Sequence, residues 1–160
     1  ISCTTRPPRE GEVDGVNYFF IDQEEFAYKV LNYEMLEATN FNDWFYGTSY
    51  DTLRSDVLNI GVFNPDGIRA IEDRSDIDLR VFRITCSDKI RLLRQLNREE
   101  NPNVDEIVRR YKTDKEDFCD LEFTYYEIEN NSEKDLELGT YAILSQLGLT
   151  CEQGQNKLID

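Results

Sequence analysis

Ser2-Cys3-Thr4-Thr5-Arg6-Pro7-Pro8-Arg9-Glu10-Gly11-Glu12-Val13-Asp14-Gly15-Val16-Asn17-Tyr18-Phe19-Phe20 is the most informative run of the chain. It packs hydroxyls, two guanidinium groups, acids, turn glycines and a tyrosine into one short stretch. An arginine presents a rigid fork of donors that matches a phosphate, and two of them three residues apart grip one phosphate from two sides. Pro7 and Pro8 fix the backbone between them, so little entropy is lost when such a site forms.

The 160 residues suit one domain with a real core. Hydrophobic residues at 39% and aromatics at 12% are ordinary for a globular chain and leave no stretch that reads as disordered. No apolar run approaches membrane-spanning length and the first residues do not read as a signal peptide, so a soluble, cytoplasmic protein is expected, with no membrane partner. A formal charge of −15 argues against nucleic acid as partner, because phosphate-backbone affinity rests on excess Lys and Arg. A small phosphorylated ligand needs only a local cluster of cations. Cys3, Cys86, Cys119 and Cys151 form no C-x-x-C pair and read as reduced thiols. With no histidine, the Ser-His-Asp mechanism, His acid–base catalysis and most transition-metal sites are excluded. Chemistry here must run on Arg, carboxylates, hydroxyls and a hard cation.

Outward from the opening run, Tyr18 to Ile21 reads as a short strand, and Asp22 with Glu25 caps a helix through about Leu31. Met35 to Phe41 reads as extended, followed by a Tyr46-Gly47-Thr48 turn and a helix over roughly 50–58 capped by Ser49. Val57 to Phe63 reads as a buried strand stopped by a turn at Asn64-Pro65-Asp66-Gly67. Leu79 to Thr85 reads as a strand, with Ser87 capping a helix. That helix puts Ile90, Leu92, Leu93 and Leu96 on one side and Arg91, Arg94 and Arg98 on the other. Asn103 with Glu106 caps a helix carrying Arg109 and Arg110. Phe123 to Ile128 is a strand, and Ser132 caps a last helix ending near Gly148. Strands alternating with helices indicate an α/β layer fold.

The opening run resembles the monophosphate-binding segment of guanylate kinases, S-x-T-T-R-x-x-R-x-G-E-x-x-G-x-x-Y-x-F, and fills every fixed position of it. Guanylate kinases also have an acidic residue followed nine positions on by Tyr-Gly-Ser/Thr, as Glu37 is here by Tyr46-Gly47-Thr48. The resemblance implies that Ser2, Arg6, Arg9, Tyr18 and Tyr46 hold the phosphate of GMP, with Glu12 bracing the arginines. Glu37 and Thr48 would read the base. A carboxylate accepts from both the N1–H and the 2-amino group of guanine, a pairing adenine cannot offer, and a hydroxyl donates to O6.

Arg94 and Arg98 fit the family's R-x-x-x-R lid helix and Arg110 its later lid arginine, which implies that they neutralise charge as the phosphoryl group moves. Basic helix faces also pair with acids such as Glu99 and Glu100. Asn130-Asn131 resembles the N-D pair that contacts adenine. Asn64 stands where the family has an Asp near the metal and phosphates.

The implied fold is α/β, a P-loop kinase-like three-layer parallel sheet core with a small mixed-sheet GMP-binding subdomain and a helical lid. The expected layout is a single domain over 1–160, with GMP binding at 3–50, core at 51–87 and 119–160, and lid at 88–118. The implied activity is phosphorylation of GMP to GDP with ATP and Mg²⁺. No residue of the chain is put forward as a metal ligand, and oligomeric state is left open. G-x-x-x-x-G-K-[ST] does not occur in the chain, and the family carries that loop about thirty residues before S-x-T-T-R, so a preceding segment is expected. The alternative is an inactive guanylate kinase-like module binding GMP or a phosphorylated peptide.

Overall fold

The computed structural model describes residues 1–150 apart from Asn42 and Glu99; Cys151 and the expected pairing at Glu99 lie outside the described residues. The chain divides into two compact units, Ile1–Asp78 and Leu79–Asp160.

In the first unit, β1 (Cys3–Thr4), β2 (Phe19–Phe20), β3 (Met35–Phe41) and β4 (Trp44–Ser49) form a mixed sheet in the order β2-β1-β4-β3. β1 runs parallel to β2 and antiparallel to β4, with Cys3 opposite Gly47. β3 and β4 are antiparallel, and Glu37 faces Thr48 across a register shift between Met35 and Glu37. Helix α1 (Gln23–Leu31) starts at Asp22, whose carboxylate accepts the Glu25 N–H at 2.7 Å. It buries Phe26, which stacks on Phe45 of β4 at 5.4 Å between ring centroids. Cys3, Leu36, Ile68 and Ile71 complete the buried apolar set of this unit.

Three expectations in this unit are corrected. Tyr46-Gly47-Thr48 is no turn but the middle of β4. Gly47 is needed there by close approach, since a Cβ at this position would sit 2.7 Å from the Glu37 carbonyl oxygen and collide with Met35. The helix over 50–58 shrinks to a single 3₁₀ turn, Tyr50–Thr52. The Ser49 hydroxyl cannot cap it because it is engaged with the Met35 sulfur at 3.2 Å and faces the Cys3 thiol. Val57–Phe63 forms no strand, and Ile60 and Val62 are 78% and 98% exposed. The Asn59 side chain folds back on Arg54, accepting its N–H at 3.1 Å and donating to its carbonyl at 2.7 Å. This local ring competes with extension, and no strand among the described residues offers the segment a ladder. Asn64-Pro65 then opens helix α2 (Pro65–Arg69), with the Asn64 amide oxygen accepting the Gly67 N–H at 2.9 Å.

In the second unit, β5 (Phe82–Thr85) and β6 (Tyr126–Glu129) pair in parallel, joined through α3 (Asp88–Leu96) and α4 (Val104–Asp117). Helix α5 (Glu133–Gln146) follows β6 and lays Gly139 directly on Ile128. Ser87, Asn103 and Ser132 cap α3, α4 and α5 as their sequence positions indicate. Both strands are shorter than expected. The basic face of α3 is shorter too: α3 ends at Leu96, so Arg98 stands on the bend beyond its Asn97 cap and not in a helical R-x-x-x-R. Phe82 stacks on Tyr126 at 5.4 Å, and Phe123 is buried.

Candidate functional site

Sheet register gathers the polar residues of the first unit around Thr48. With Cys3 opposite Gly47, Ser2 comes beside Thr48 and their hydroxyl oxygens lie 3.0 Å apart. On the other side, Glu37 of β3 takes hydrogen bonds from both the hydroxyl and the backbone N–H of Thr48. The direction of the Thr48 bond to Glu37 follows from chemistry. An ionised carboxylate only accepts, so Thr48 is the donor toward Glu37, while between the Ser2 and Thr48 hydroxyls either can donate. Glu37 is 7% exposed. Burial pushes its carboxyl above the ordinary range of 4.5, and the two Thr48 bonds offset that only in part. A buried carboxylate with unused lone pairs is costly unless a ligand supplies donors.

Arg6 is the second focus. It is 8% exposed, and its Nη2 meets the Glu12 carboxylate at 2.9 Å while Nη1 donates to its neighbour's carbonyl, Pro7 O, at 2.7 Å. Its backbone N–H donates to the Thr4 hydroxyl at 3.2 Å. The guanidinium carbon lies 5.7 Å from the ring centroids of both Tyr18 and Phe20, which flank it from alternate positions of the β2 segment. Tyr18 in turn meets Tyr46 edge-on at 6.1 Å. Glu12 also accepts the Arg9 N–H at 2.7 Å, so one carboxylate ties both arginines to the turn. That backbone bond foremost, then Arg6, holds the Glu12 carboxyl below its usual value. The Arg9 side chain is exposed. Ser2, Arg6, Glu12, Tyr18, Glu37, Tyr46 and Thr48 thus form two clusters, linked by the Tyr18–Tyr46 contact, in and around one small sheet. Asn64 stands apart, hydrogen-bonded into its own helix.

In the second unit, Arg94 of α3 donates to Asn130, to its carbonyl oxygen at 2.8 Å and its amide oxygen at 3.3 Å. Arg110 and Arg109 share Glu106, each with a nitrogen at 2.7 Å from its carboxylate. Those two arginines lower the Glu106 carboxyl to about 2. Arg98 is exposed. Arg91 lies over the Tyr111 ring at 4.5 Å, between Asp88 and Asp114.

Several contributors escape sequence reading. Phe20 and the Pro7 carbonyl help hold Arg6, and only the Tyr18-x-Phe20 alternation points to the former. No spacing signal links Arg94 to Asn130. Among the described residues no group of three or more acidic or cysteine side chains is placed to hold a metal ion. Among the described residues no helix is long and apolar enough to cross a membrane.

The family model described as guanylate kinase matches residues 1–141. The guanylate kinase of Mesoplasma florum is 58% identical over 48 residues, 30% of this chain and 16% of that protein. That of Bacillus cereus is 55% identical over 51 residues, 32% of this chain and 25% of that protein. That of Symbiobacterium thermophilum is 38% identical over 95 residues, 54% of this chain and 43% of that protein. The chain therefore spans less than half the length of these relatives. The crystal structure of guanylate kinase from Anaplasma phagocytophilum superposes with a TM-score of 0.68 at 22% identity, covering 99% of this chain and 81% of that one. At that identity the likeness establishes the fold, mixed α/β.

Proposed function

The chain belongs to the guanylate kinase family, and from that premise we propose that the protein carrying it transfers a phosphoryl group from ATP to GMP, giving ADP and GDP. The observation that carries this reading is the buried Glu37, paired with Thr48 on the small sheet whose first strand leads into the braced Arg6. A phosphate clamp alone serves any phosphorylated ligand. A desolvated carboxylate beside it has a use only if the ligand brings two adjacent donors, and the Watson–Crick edge of guanine does.

On this reading the N1–H and 2-amino group of guanine donate to Glu37. They replace the Thr48 proton there, so the freed hydroxyl turns to O6, while Ser2 keeps Thr48 in place. Arg6 enters already aligned by Glu12, Pro7, Tyr18 and Phe20, and its ordering entropy is spent at folding. Arg9 closes on the phosphate from solvent, and Tyr18 and Tyr46 offer hydroxyl donors. Arg98 and Arg110 serve as lid arginines; for Arg110 that means leaving Glu106. Asn64 caps α2 outside the two clusters, and Asn130 meets the adenine of the donor. No histidine or other protein base is required, because positioning and charge neutralisation carry phosphoryl transfer.

We assign residues 3–50 to GMP binding, 51–87 and 119–160 to the core and 88–118 to the lid, within one cytoplasmic domain. The test is nucleotide turnover by the full-length protein. ADP should appear only when ATP and GMP are both present. ADP release independent of GMP, or none with both nucleotides present, would refute the reading.

A further inference from the structure

The end of the β5–β6 pair is a carboxyl-terminal edge of parallel strands, where α/β folds bind ligands. There Asn130 is held from several directions. Its N–H donates to the Thr85 carbonyl at 2.8 Å, and the adjacent Asn131 accepts the Ser87 N–H at 2.7 Å. Arg94 then reaches from α3 with both arms of its fork, Nη1 to the Asn130 carbonyl at 2.8 Å and Nη2 to Oδ1 at 3.3 Å.

A guanidinium carries donors and no acceptor. The amide atom facing Arg94 is therefore the oxygen, and the Nδ2 amino group is turned to the other side. An asparagine without such a neighbour presents either orientation; this one turns its oxygen to Arg94. That orientation bears on base choice. An asparagine amide pairs with adenine through two bonds, Nδ2–H to a ring nitrogen and Oδ1 from the exocyclic amino group. Oδ1 keeps a second lone pair for this beside Arg94. Against guanine the same oxygen meets O6, acceptor facing acceptor, and the pairing is lost.

We propose that Arg94 is a positioning residue that fixes the amide of Asn130 and thereby selects adenine over guanine in the phosphoryl donor. The inference rests on the kinase reading for the identity of the base at Asn130, and it removes Arg94 from the phosphate-neutralising set.

The test uses the full-length protein with Arg94→Ala, Arg94→Lys and Asn130→Ala. Turnover of GMP is measured with ATP or GTP as donor, and adenosine and guanosine, which have no phosphate, are titrated separately. Arg94→Ala should lower the ATP-to-GTP preference about tenfold through KM, and weaken adenosine binding by a similar factor while guanosine is unmoved. Lysine, also a pure donor, should restore most of both. Adding Arg94→Ala to Asn130→Ala should cost nothing further. Equal loss of kcat with both donors, with adenosine binding unchanged, would overturn the proposal in favour of a phosphate clamp. If the unaltered protein shows no turnover, the kinase reading fails, and the adenosine and guanosine titrations still decide the role of Arg94.

Discussion

Burial of the Glu37 carboxyl costs stability at neutral pH, a cost that base recognition accounts for on the proposed reading. Its native pKa is raised by burial, so its contribution to stability is fully present below the ordinary value near 4.5 and is lost as pH rises through the native value. Above that value the folded state holds a desolvated charge. Glu37→Gln should therefore melt no lower than the parent at pH 7, and its relative advantage should vanish on acidification, read by thermal unfolding at several pH values. The same substitution should weaken GMP binding about 100-fold or more while inorganic phosphate binds as before. GMP affinity of the parent should also fall as pH drops through the raised pKa, because a protonated carboxyl loses an acceptor position; a pH-independent affinity would contradict this. The residues that this candidate site brings together are legible in the sequence from the S-x-T-T-R run and the Glu37 to Thr48 spacing. The order Ser2 to Thr48 to Glu37 is not, since it depends on the register of three strands.

Elements that depend on neighbouring residues alone were legible. Asp22, Ser87, Asn103 and Ser132 all cap the helices their positions announce, because a cap needs only a side chain and an N–H a few residues on. Val57–Phe63 was not, because alternation of apolar residues states a preference for extension, whereas a strand exists only if another strand pairs with it. Gly47 was misread as turn chemistry for a similar reason: what demands glycine is the approach of β3 across the sheet. Gly47→Ala forces β3 and β4 apart at Glu37, so it should cost about 1–3 kcal/mol by denaturant unfolding and also impair GMP binding. An unchanged GMP affinity would separate the register from the site. Asn64→Ala should cost about 1 kcal/mol through lost capping of α2, and Asn64→Asp should restore it. A full loss in both variants would show that the amide acts elsewhere than at the cap.

For the molecule as a whole, the charge of −15 is the dominant global term. Self-repulsion opposes the compact state and is screened by salt, so the unfolding midpoint should rise by a few degrees between about 10 and 200 mM salt at pH 7. The opposite dependence would mean that ion pairs such as Arg109 and Arg110 with Glu106 outweigh repulsion. Glu106 has the reverse pH sign to Glu37: its contribution is present above 4.5 and is lost as pH falls through about 2. On the proposed reading, an anionic chain binds an anionic nucleotide by local geometry, with cations such as Arg6 fixed in advance and the base read by Glu37. On the same reading, guanine, and not phosphate alone, is what this site selects. Calorimetric titration of the full-length protein with GMP and AMP side by side tests it most directly. GMP should bind at least about 100-fold more tightly; equal affinities would rule out guanine selection.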